Sequence, residues 1–363
     1  MTQSAYIHIP FCRHKCNYCS FVSYDCFKDS DKKEYVKTLL LEIENYYKDE
    51  PLKTLYFGGG TPSLLGTEDL EKILKSFCFD VNPEITIEIN PETVDISYLA
   101  GLKQIGFNRI SVGVQSFDDN ILKSIGRIHN AARAVETVIE VKKAGIENVS
   151  TDFIYGLPGQ TQEGFVNDLK TAVELGVSHI SLYGLKIEEG CRFFFEKPLN
   201  LPDDDAQADM YLAAIETLEN AGFLHYEISN FCKPNKHSRH NLNYWDDGEY
   251  YGFGAAAHGY IGGVRYSNFR DLKEYKKKYD SKEFLQALNK KERLEETIFL
   301  GFRKGNGIDV QGINEKFGID LESLYNNVFQ KYLQSGHLIK TSKGYRLSNE
   351  GFLLSNIILS EFV

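Results

Sequence analysis

The sequence lacks any long apolar run. Nowhere does it approach the roughly 18 consecutive apolar residues of a membrane-spanning helix. Its first 15 residues hold no extended apolar core, and Cys12 would fall inside any cleaved leader. We therefore expect a cytoplasmic protein without a transmembrane segment, an expectation that leaves peripheral contact with a membrane surface open.

Positive charge is also in short supply. The chain has 41 Lys and Arg residues against 51 Asp and Glu residues, which gives a formal net charge of −10. Nucleic-acid binding needs a basic face that neutralises phosphates, so no nucleic-acid partner is expected. Apolar residues at 42% and charged residues at 25% are ordinary for a globular protein with a full core.

Cysteine is sparse and unevenly placed. An odd total of seven does not suggest a disulfide framework in a reducing compartment. Three of them form a C-x3-C-x2-C pattern at Cys12, Cys16 and Cys19, and a fourth at position 21 is missing because Phe21 stands there. We interpret the scattered remainder as small semi-buried apolar residues, namely Cys26, Cys78, Cys191 and Cys232.

Short β-rich runs alternate with amphipathic stretches over the first two-thirds of the chain. Six strands are predicted at 5–10, 54–59, 85–90, 109–115, 149–156 and 179–185. Such a series predicts a parallel sheet with helices outside, either open or closed into a barrel. Polar residues at the C-terminal strand ends favour an α/β barrel, and six units predict a partial (β/α)6 barrel over residues 1–232.

The rest of the chain changes character twice. Residues 233–289 form a connecting segment rich in aromatics, histidine and glycine, with little periodicity. Helical patterns at 292–303, 310–317 and 321–335 then precede a hairpin at 338–348 and a final helix. This order predicts a small winged-helix-like α+β module at residues 290–363. Nine basic and nine acidic residues in 291–363 argue against a DNA-reading wing.

Three thiolates within eight residues bind a metal only if the loop wraps around it. A closed zinc site needs a fourth ligand, for which Cys26 or His14 is available. A [4Fe–4S] cluster held by three cysteines instead leaves one iron open for the amino and carboxylate groups of S-adenosylmethionine. The cysteine spacing just after the first strand, with Tyr18 before the last cysteine, resembles the signature of the radical S-adenosylmethionine superfamily.

Further motifs make the resemblance closer. The stretches "GGGTP", "EINPE", "SVGVQSF", "GRIH" and "DFIYGLPGQT" resemble the family of oxygen-independent coproporphyrinogen dehydrogenase (HemN-type) over nearly the whole chain. Independently of it, a carboxylate at a strand end suits ribose hydroxyls, and an arginine suits the methionine carboxylate. The resemblance implies a [4Fe–4S] cluster on Cys12, Cys16 and Cys19, and S-adenosylmethionine contacts from Tyr6, Tyr18, Gly59, Gly60, Thr61, Glu88, Gln115, Arg127 and Asp152, with Lys186 matched less clearly.

Two departures separate this chain from the dehydrogenase branch. That branch resembles C-x3-C-x2-C-x-C and has a longer segment before it, whereas here Phe21 ends the pattern and eleven residues precede Cys12. The HemW-type haem chaperone branch shares this short start and an "HNxxYW" motif, matched by "HNLNYW" at 240–245. The resemblance thus implies haem binding, transfer to an acceptor protein and a monomer–dimer equilibrium. Decarboxylation of coproporphyrinogen and other radical chemistry stay open.

His240 is the haem ligand that this motif predicts. Asn241 is expected to orient its imidazole, and Tyr244 and Trp245 offer flat apolar surfaces for a porphyrin. The aperiodic, glycine-rich surroundings predict an accessible loop. In the competing interpretation, the two aromatic residues seal the open side of the partial barrel while His240 closes a turn.

Overall fold

Six parallel strands form the centre of the computed structural model, which describes residues 2–362. Each pairs in parallel with the next along the chain, so they lie side by side in sequence order. The prediction of a partial (β/α)6 barrel is confirmed. The strands are β1 (Ser4–Ile9), β2 (Leu52–Gly59), β3 (Phe79–Ile89), β4 (Arg109–Gln115), β5 (Asn148–Tyr155) and β6 (His179–Gly184).

Helices cover the outside of the barrel. In a typical one, Asn130 accepts a hydrogen bond from the backbone N–H of Arg133 at the start, and Gly145 follows the end with φ of 83°. The helices are α1 (Asp29–Tyr46), α2 (Thr67–Leu74), α3 (Ile96–Ile105), α4 (Asp119–Ser124), α5 (Ala131–Lys143), α6 (Gln162–Glu174), α7 (Arg192–Phe195) and α8 (Asp204–Asn220), with 3₁₀ turns at Pro62–Leu64 and Pro91–Thr93.

The two faces of the strands differ sharply. Residues that face the helices are apolar and belong to the main core, among them Ile7, Phe57, Ile87, Ile110 and Leu182. The alternating positions, which face the barrel lumen, are polar or charged, among them Tyr6, Tyr56, Glu88, Arg109 and Asp152. The helices are therefore held by hydrophobic contact, while the lumen is built for a polar ligand.

The sheet continues beyond the six predicted strands. At one end β7 (Leu224–Glu227) and β8 (Asn230–Cys232) join β6 in antiparallel fashion; at the other, β9 (Tyr251–Phe253) pairs in parallel with β1. The connecting segment also forms α9 (Arg239–Trp245), β10 (His258–Ile261), β11 (Val264–Ser267), α10 (Leu272–Lys277) and β12 (Phe284–Ala287). Strands this short show no periodicity, so the sequence predicted none of them.

The C-terminal module pairs helices with a small antiparallel sheet, which confirms the winged-helix-like prediction. The predicted helix 321–335 is divided at Tyr325 into two. The boundaries at 232 and 289 stay predictions, and none of the described helices is long and apolar enough to cross a membrane. The elements are α11 (Lys290–Gly301), β13 (Ile308–Asp309), α12 (Val310–Phe317), α13 (Leu321–Leu324), α14 (Asn326–Gln334), β14 (Leu338–Lys340), β15 (Gly344–Leu347), α15 (Asn349–Leu353), α16 (Ser355–Leu359) and a 3₁₀ turn at Ser360–Phe362.

Candidate functional site

The cysteine loop lies at the C-terminal end of β1, on the rim of the barrel. Cys12 is buried, and Cys16 and Cys19 are half-buried. Thr61 donates a hydrogen bond to the Cys12 sulfur at 3.6 Å, and Arg127 donates one to the Cys16 sulfur at 3.6 Å. Burial raises the pKa of Cys19 to about 11 in the absence of a metal. Binding of a metal centre would favour the thiolate form of Cys19.

The three thiols lie close enough together on one loop to share an iron–sulfur cluster. Each is close enough to affect the others, since Cys16 and Cys12 both raise the pKa of Cys19. Within residues 2–362, however, no three potential ligands lie close enough together to hold one metal ion. The ligands of a [4Fe–4S] cluster bind different irons and therefore stand further apart than the ligands of one zinc ion.

Tyr18 lies beside the loop that carries Cys12, Cys16 and Cys19, which we call the cluster loop, rather than over the lumen. It packs against a small apolar cluster that includes Ile121, Ile125 and Leu157. Burial raises the pKa of its hydroxyl well above the usual value, and the nearby Cys16 sulfur adds to the effect. The neutral phenol therefore flanks Cys16 on its apolar side.

The glycine-rich turn after β2 packs closely against the start of the cluster loop. Gly59 has φ of 111°, and a Cβ there would meet the His8 ring at 2.6 Å. A Cβ on Gly60 would meet the Phe11 carbonyl oxygen at 2.7 Å. Thr61, 2% exposed, donates its backbone N–H to that same Phe11 oxygen. Glycine is required here because the two loops approach each other so closely.

Two carboxylates lie near each other in the lumen, on β3 and β5, which flank β4. Glu88 accepts hydrogen bonds from the Tyr56 hydroxyl at 2.8 Å and from the Gly59 N–H at 3.2 Å. Asp152 accepts from the Ser111 hydroxyl at 2.9 Å. Burial, followed by the charge of Asp152, raises the pKa of Glu88 to about 7. A ligand that donates hydroxyl groups to this pair would relieve their repulsion.

Gln115 and Arg127 complete the rim, with Arg127 next to the cluster loop. Gln115 ends β4 with φ of 69°, next to a shift in the strand register after Gly113. Arg127 donates to the Gly113 carbonyl at 2.6 Å and to Asn90 at 2.7 Å, whereas its buried Nε has no partner. An unpartnered buried donor beside a thiol suits an anionic ligand group. Lys186 lies exposed after β6.

His240 does not lie in an accessible loop, as the sequence had suggested. It is 1% exposed, on α9, and its two ring nitrogens are 2.8 Å from the Thr54 hydroxyl and 2.7 Å from the Tyr244 hydroxyl. Thr54 and Tyr244, not Asn241, orient the imidazole. Burial lowers its pKa to about 3. In this conformation neither nitrogen has a lone pair free for iron, because both already serve hydrogen bonds within the protein.

Arg109 is the main lumen residue that sequence reasoning missed. It is 2% exposed and its Nε has no partner, although Glu84, Tyr56 and Asp152 all lie near its charge. Tyr56, which bonds Glu88, was missed as well. For Arg109 the signal was present in the alternation of "RISV", where Arg109 and Ser111 are polar and the residues that alternate with them are apolar.

Comparison with known proteins identifies families and relatives that this chain resembles. Residues 6–172 match the family model described as the radical SAM superfamily, and residues 288–354 match the HemN C-terminal domain. The chain is 37% identical over 369 residues to the heme chaperone HemW of Lactococcus lactis subsp. lactis, covering 99% of this chain and 97% of that protein. It is 36% identical over 376 residues to the heme chaperone HemW of Bacillus subtilis, covering 99% of each.

One solved structure is similar over almost the whole fold. Coproporphyrinogen III oxidase (HemN) from Escherichia coli, described as a radical SAM enzyme, aligns with a TM-score of 0.86 over 99% of this chain and 89% of that one. Sequence identity is 23%, so this likeness establishes the fold and carries no statement about the reaction.

Proposed function

The chain belongs to the HemW family within the radical SAM superfamily, and on that premise we propose that it binds haem and delivers it to an acceptor protein. The full-length similarity to proteins named heme chaperones is the observation that supports this most strongly. Phe21, 66% exposed where the dehydrogenase pattern would have a fourth cysteine, agrees with it.

The superfamily implies two resident cofactors, a [4Fe–4S] cluster and S-adenosylmethionine. We assign the cluster to Cys12, Cys16 and Cys19. When bound, the two cofactors supply one-electron chemistry. The protein's own contribution is to stabilise the sulfurs: Thr61 and Arg127 each donate a hydrogen bond to a thiolate, which offsets the charge gathered in the loop.

The remaining rim residues form the proposed S-adenosylmethionine cradle. Glu88 and Asp152 would accept hydrogen bonds from the ribose hydroxyls, and Arg127, whose buried Nε has no protein partner, would pair with the carboxylate. The backbone at the glycine-rich turn provides the contact to the methionine end. Tyr6 and Gln115 line the space between, and Tyr18 flanks the cluster loop. His240 is left out of the proposed haem site, because Thr54 and Tyr244 engage both of its ring nitrogens.

A haem-transfer experiment tests the function directly. The reconstituted protein is titrated with ferric haem, and the loaded protein is then mixed with a purified haem-free haemoprotein while the Soret band of the product is followed. In parallel, anaerobic incubation with coproporphyrinogen and S-adenosylmethionine is analysed for decarboxylated product. We expect stoichiometric haem binding, transfer to the acceptor and no decarboxylation. Decarboxylated product without haem binding would identify a dehydrogenase instead.

A further inference from the structure

Among the nine histidines, few have a ring nitrogen ready to bind iron. Of those without a bonded nitrogen, His237 packs edge-on against Tyr226 at 4.9 Å, whereas His14 and His258 are exposed. The other six all have a ring nitrogen within hydrogen-bond distance of another protein group: His8, His129, His179, His225, His240 and His337.

His258 lies just after β9, the strand at one edge of the barrel sheet. It begins β10, and its carbonyl oxygen is so close to Gly252 that a Cβ there would approach to 1.9 Å. Gly252 in turn pairs with Tyr6 of β1. The Ala257 carbonyl oxygen, one residue before His258, accepts a hydrogen bond from the Asn268 N–H at 2.9 Å, and two residues further on the Arg270 carbonyl oxygen accepts one from the Tyr24 hydroxyl at 3.2 Å. His258 is therefore next to the segment that directly follows the cluster loop.

The surroundings of His258 suit a porphyrin that carries propionates. Partial burial of the ring, followed by the charges of Arg270 and Arg265, lowers the pKa of His258, which favours the neutral imidazole that can bind a metal. Arg270 is exposed, and its backbone carbonyl accepts a hydrogen bond from the Tyr24 hydroxyl at 3.2 Å. Arg265 is held by Glu296 at 2.7 Å, which leaves Arg270 as the cation available to a carboxylate.

We propose that His258 is the protein ligand to the haem iron, with the porphyrin seated against the segment 21–24 and a propionate paired with Arg270. This inference rests on the proposed haem-binding function and names its site. The exposed Phe21 ring and the half-buried Tyr24 supply apolar surface for the macrocycle. Haem at this position lies beside the cluster loop rather than beneath α9.

His14 is the matched control, since it is the other exposed histidine. It sits between Cys12 and Cys16, flanked by Arg13 and Lys15, and the structure shows no aromatic contact to it among the described residues. A histidine in this loop moves with the cluster ligands, whereas His258 is held in a strand paired with Ser267.

The test compares haem binding by cluster-reconstituted wild-type, His258→Ala, His14→Ala and Arg270→Gln proteins, using Soret difference spectra and resonance Raman spectra of the ferrous state. We expect His258→Ala to weaken binding at least about tenfold and to lose the iron–histidine stretch, with added imidazole restoring it. Arg270→Gln should weaken binding without changing the ligation spectrum. His14→Ala should match wild type, and iron and sulfide content should be equal in all four.

Each outcome has one meaning. If wild type binds no haem, the proposed function fails and this inference fails with it. If wild type binds haem and His258→Ala keeps the same affinity and Raman stretch, only the assignment of His258 is overturned. Loss of the stretch in His14→Ala would move the ligand to the cluster loop, and also overturns it.

Discussion

The imidazole of His240 stacks on the ring of Tyr56, with 5.1 Å between the ring centroids and 24° between the planes. Its two nitrogens link Thr54 at the start of β2 to Tyr244 on α9. The backbone N–H of His240 also donates to Glu84 of β3 at 3.0 Å. His240 thus links α9 to the barrel sheet through its side chain and its backbone.

Replacement of His240 should lower the stability of the fold. His240→Ala leaves two buried hydroxyl groups without partners, which costs about 1–3 kcal/mol for each group. We expect a lower free energy of unfolding in denaturant titrations, with haem affinity close to wild type in the variant that remains folded. His337→Ala, at a half-buried position, serves as the control and should unfold near wild type. A fully stable His240→Ala protein that no longer binds haem would instead make His240 the iron ligand.

Glu88 should make stability depend on pH. Its pKa is about 7 in the folded chain against an ordinary value of 4.5, so between these values the folded state holds a proton that the unfolded state has lost. Stability therefore falls as pH rises through this window. Glu88→Gln removes the effect, so the free energy of unfolding of the variant relative to wild type should increase from about pH 5 to about pH 8. A difference that stays constant across that range would contradict the assigned ionisation.

The same variant tests the cofactor cradle. A lost hydrogen bond to a charged acceptor costs about 1.5–3 kcal/mol, so Glu88→Gln should bind S-adenosylmethionine about 10- to 150-fold more weakly. Isothermal titration calorimetry on the reconstituted protein measures this directly. Glu68→Gln, on the outer helix α2, is the control. Unchanged affinity in Glu88→Gln would make Glu88 a purely structural residue.

The cluster should depend on three cysteines alone. Replacement of Cys12, Cys16 or Cys19 with Ala should abolish the broad visible absorbance of the reconstituted protein, since each is expected to bind a separate iron. Cys26→Ala is the closest control, because Cys26 is exposed only seven residues after Cys19. The measurement is iron and acid-labile sulfide per chain. Full iron and sulfide in Cys16→Ala would refute the ligand set, and one equivalent of zinc without sulfide would indicate a zinc site.

Glu42 anchors the segment that carries His258. This carboxylate is fully buried on α1 and accepts from the Gly254 N–H at 2.8 Å, Tyr275 at 2.8 Å, Asn268 at 2.7 Å and Lys282 at 2.8 Å. Removal of one partner of a buried ion pair costs about 3–5 kcal/mol.

Glu42→Ala should therefore loosen residues 250–282 before the rest of the barrel unfolds. Limited proteolysis followed by mass spectrometry would locate early cleavage in that segment. The double variant Glu42→Gln with Lys282→Met removes both charges and should recover much of the loss. If Glu42→Ala resists protease as well as wild type does, the ion pair does not hold the segment in place.

The amino-acid sequence by itself determined the barrel and the cluster loop. Strands and helices of the six repeated units are long enough to show their periodicity, and neighbouring strands in the sheet are neighbours in the chain. The positions of Cys12, Cys16 and Cys19 follow from spacing within one short loop. Glu88 and Asp152 were also recognisable, because the carboxyl ends of parallel strands share one rim.

Only the tertiary structure decided how the region after residue 232 folds and which parts of the barrel it contacts. β9 has three residues and pairs with β1, about 246 positions earlier in the chain, and nothing local in the sequence marks such a pairing. His240 illustrates the same limit, since Thr54, which bonds its imidazole, is 186 residues away. From the sequence motif, His240 and not His258 was predicted to bind haem. Burial and hydrogen bonding made one a structural link and left the other facing solvent, because those properties depend on partners that the fold brings together from distant parts of the chain.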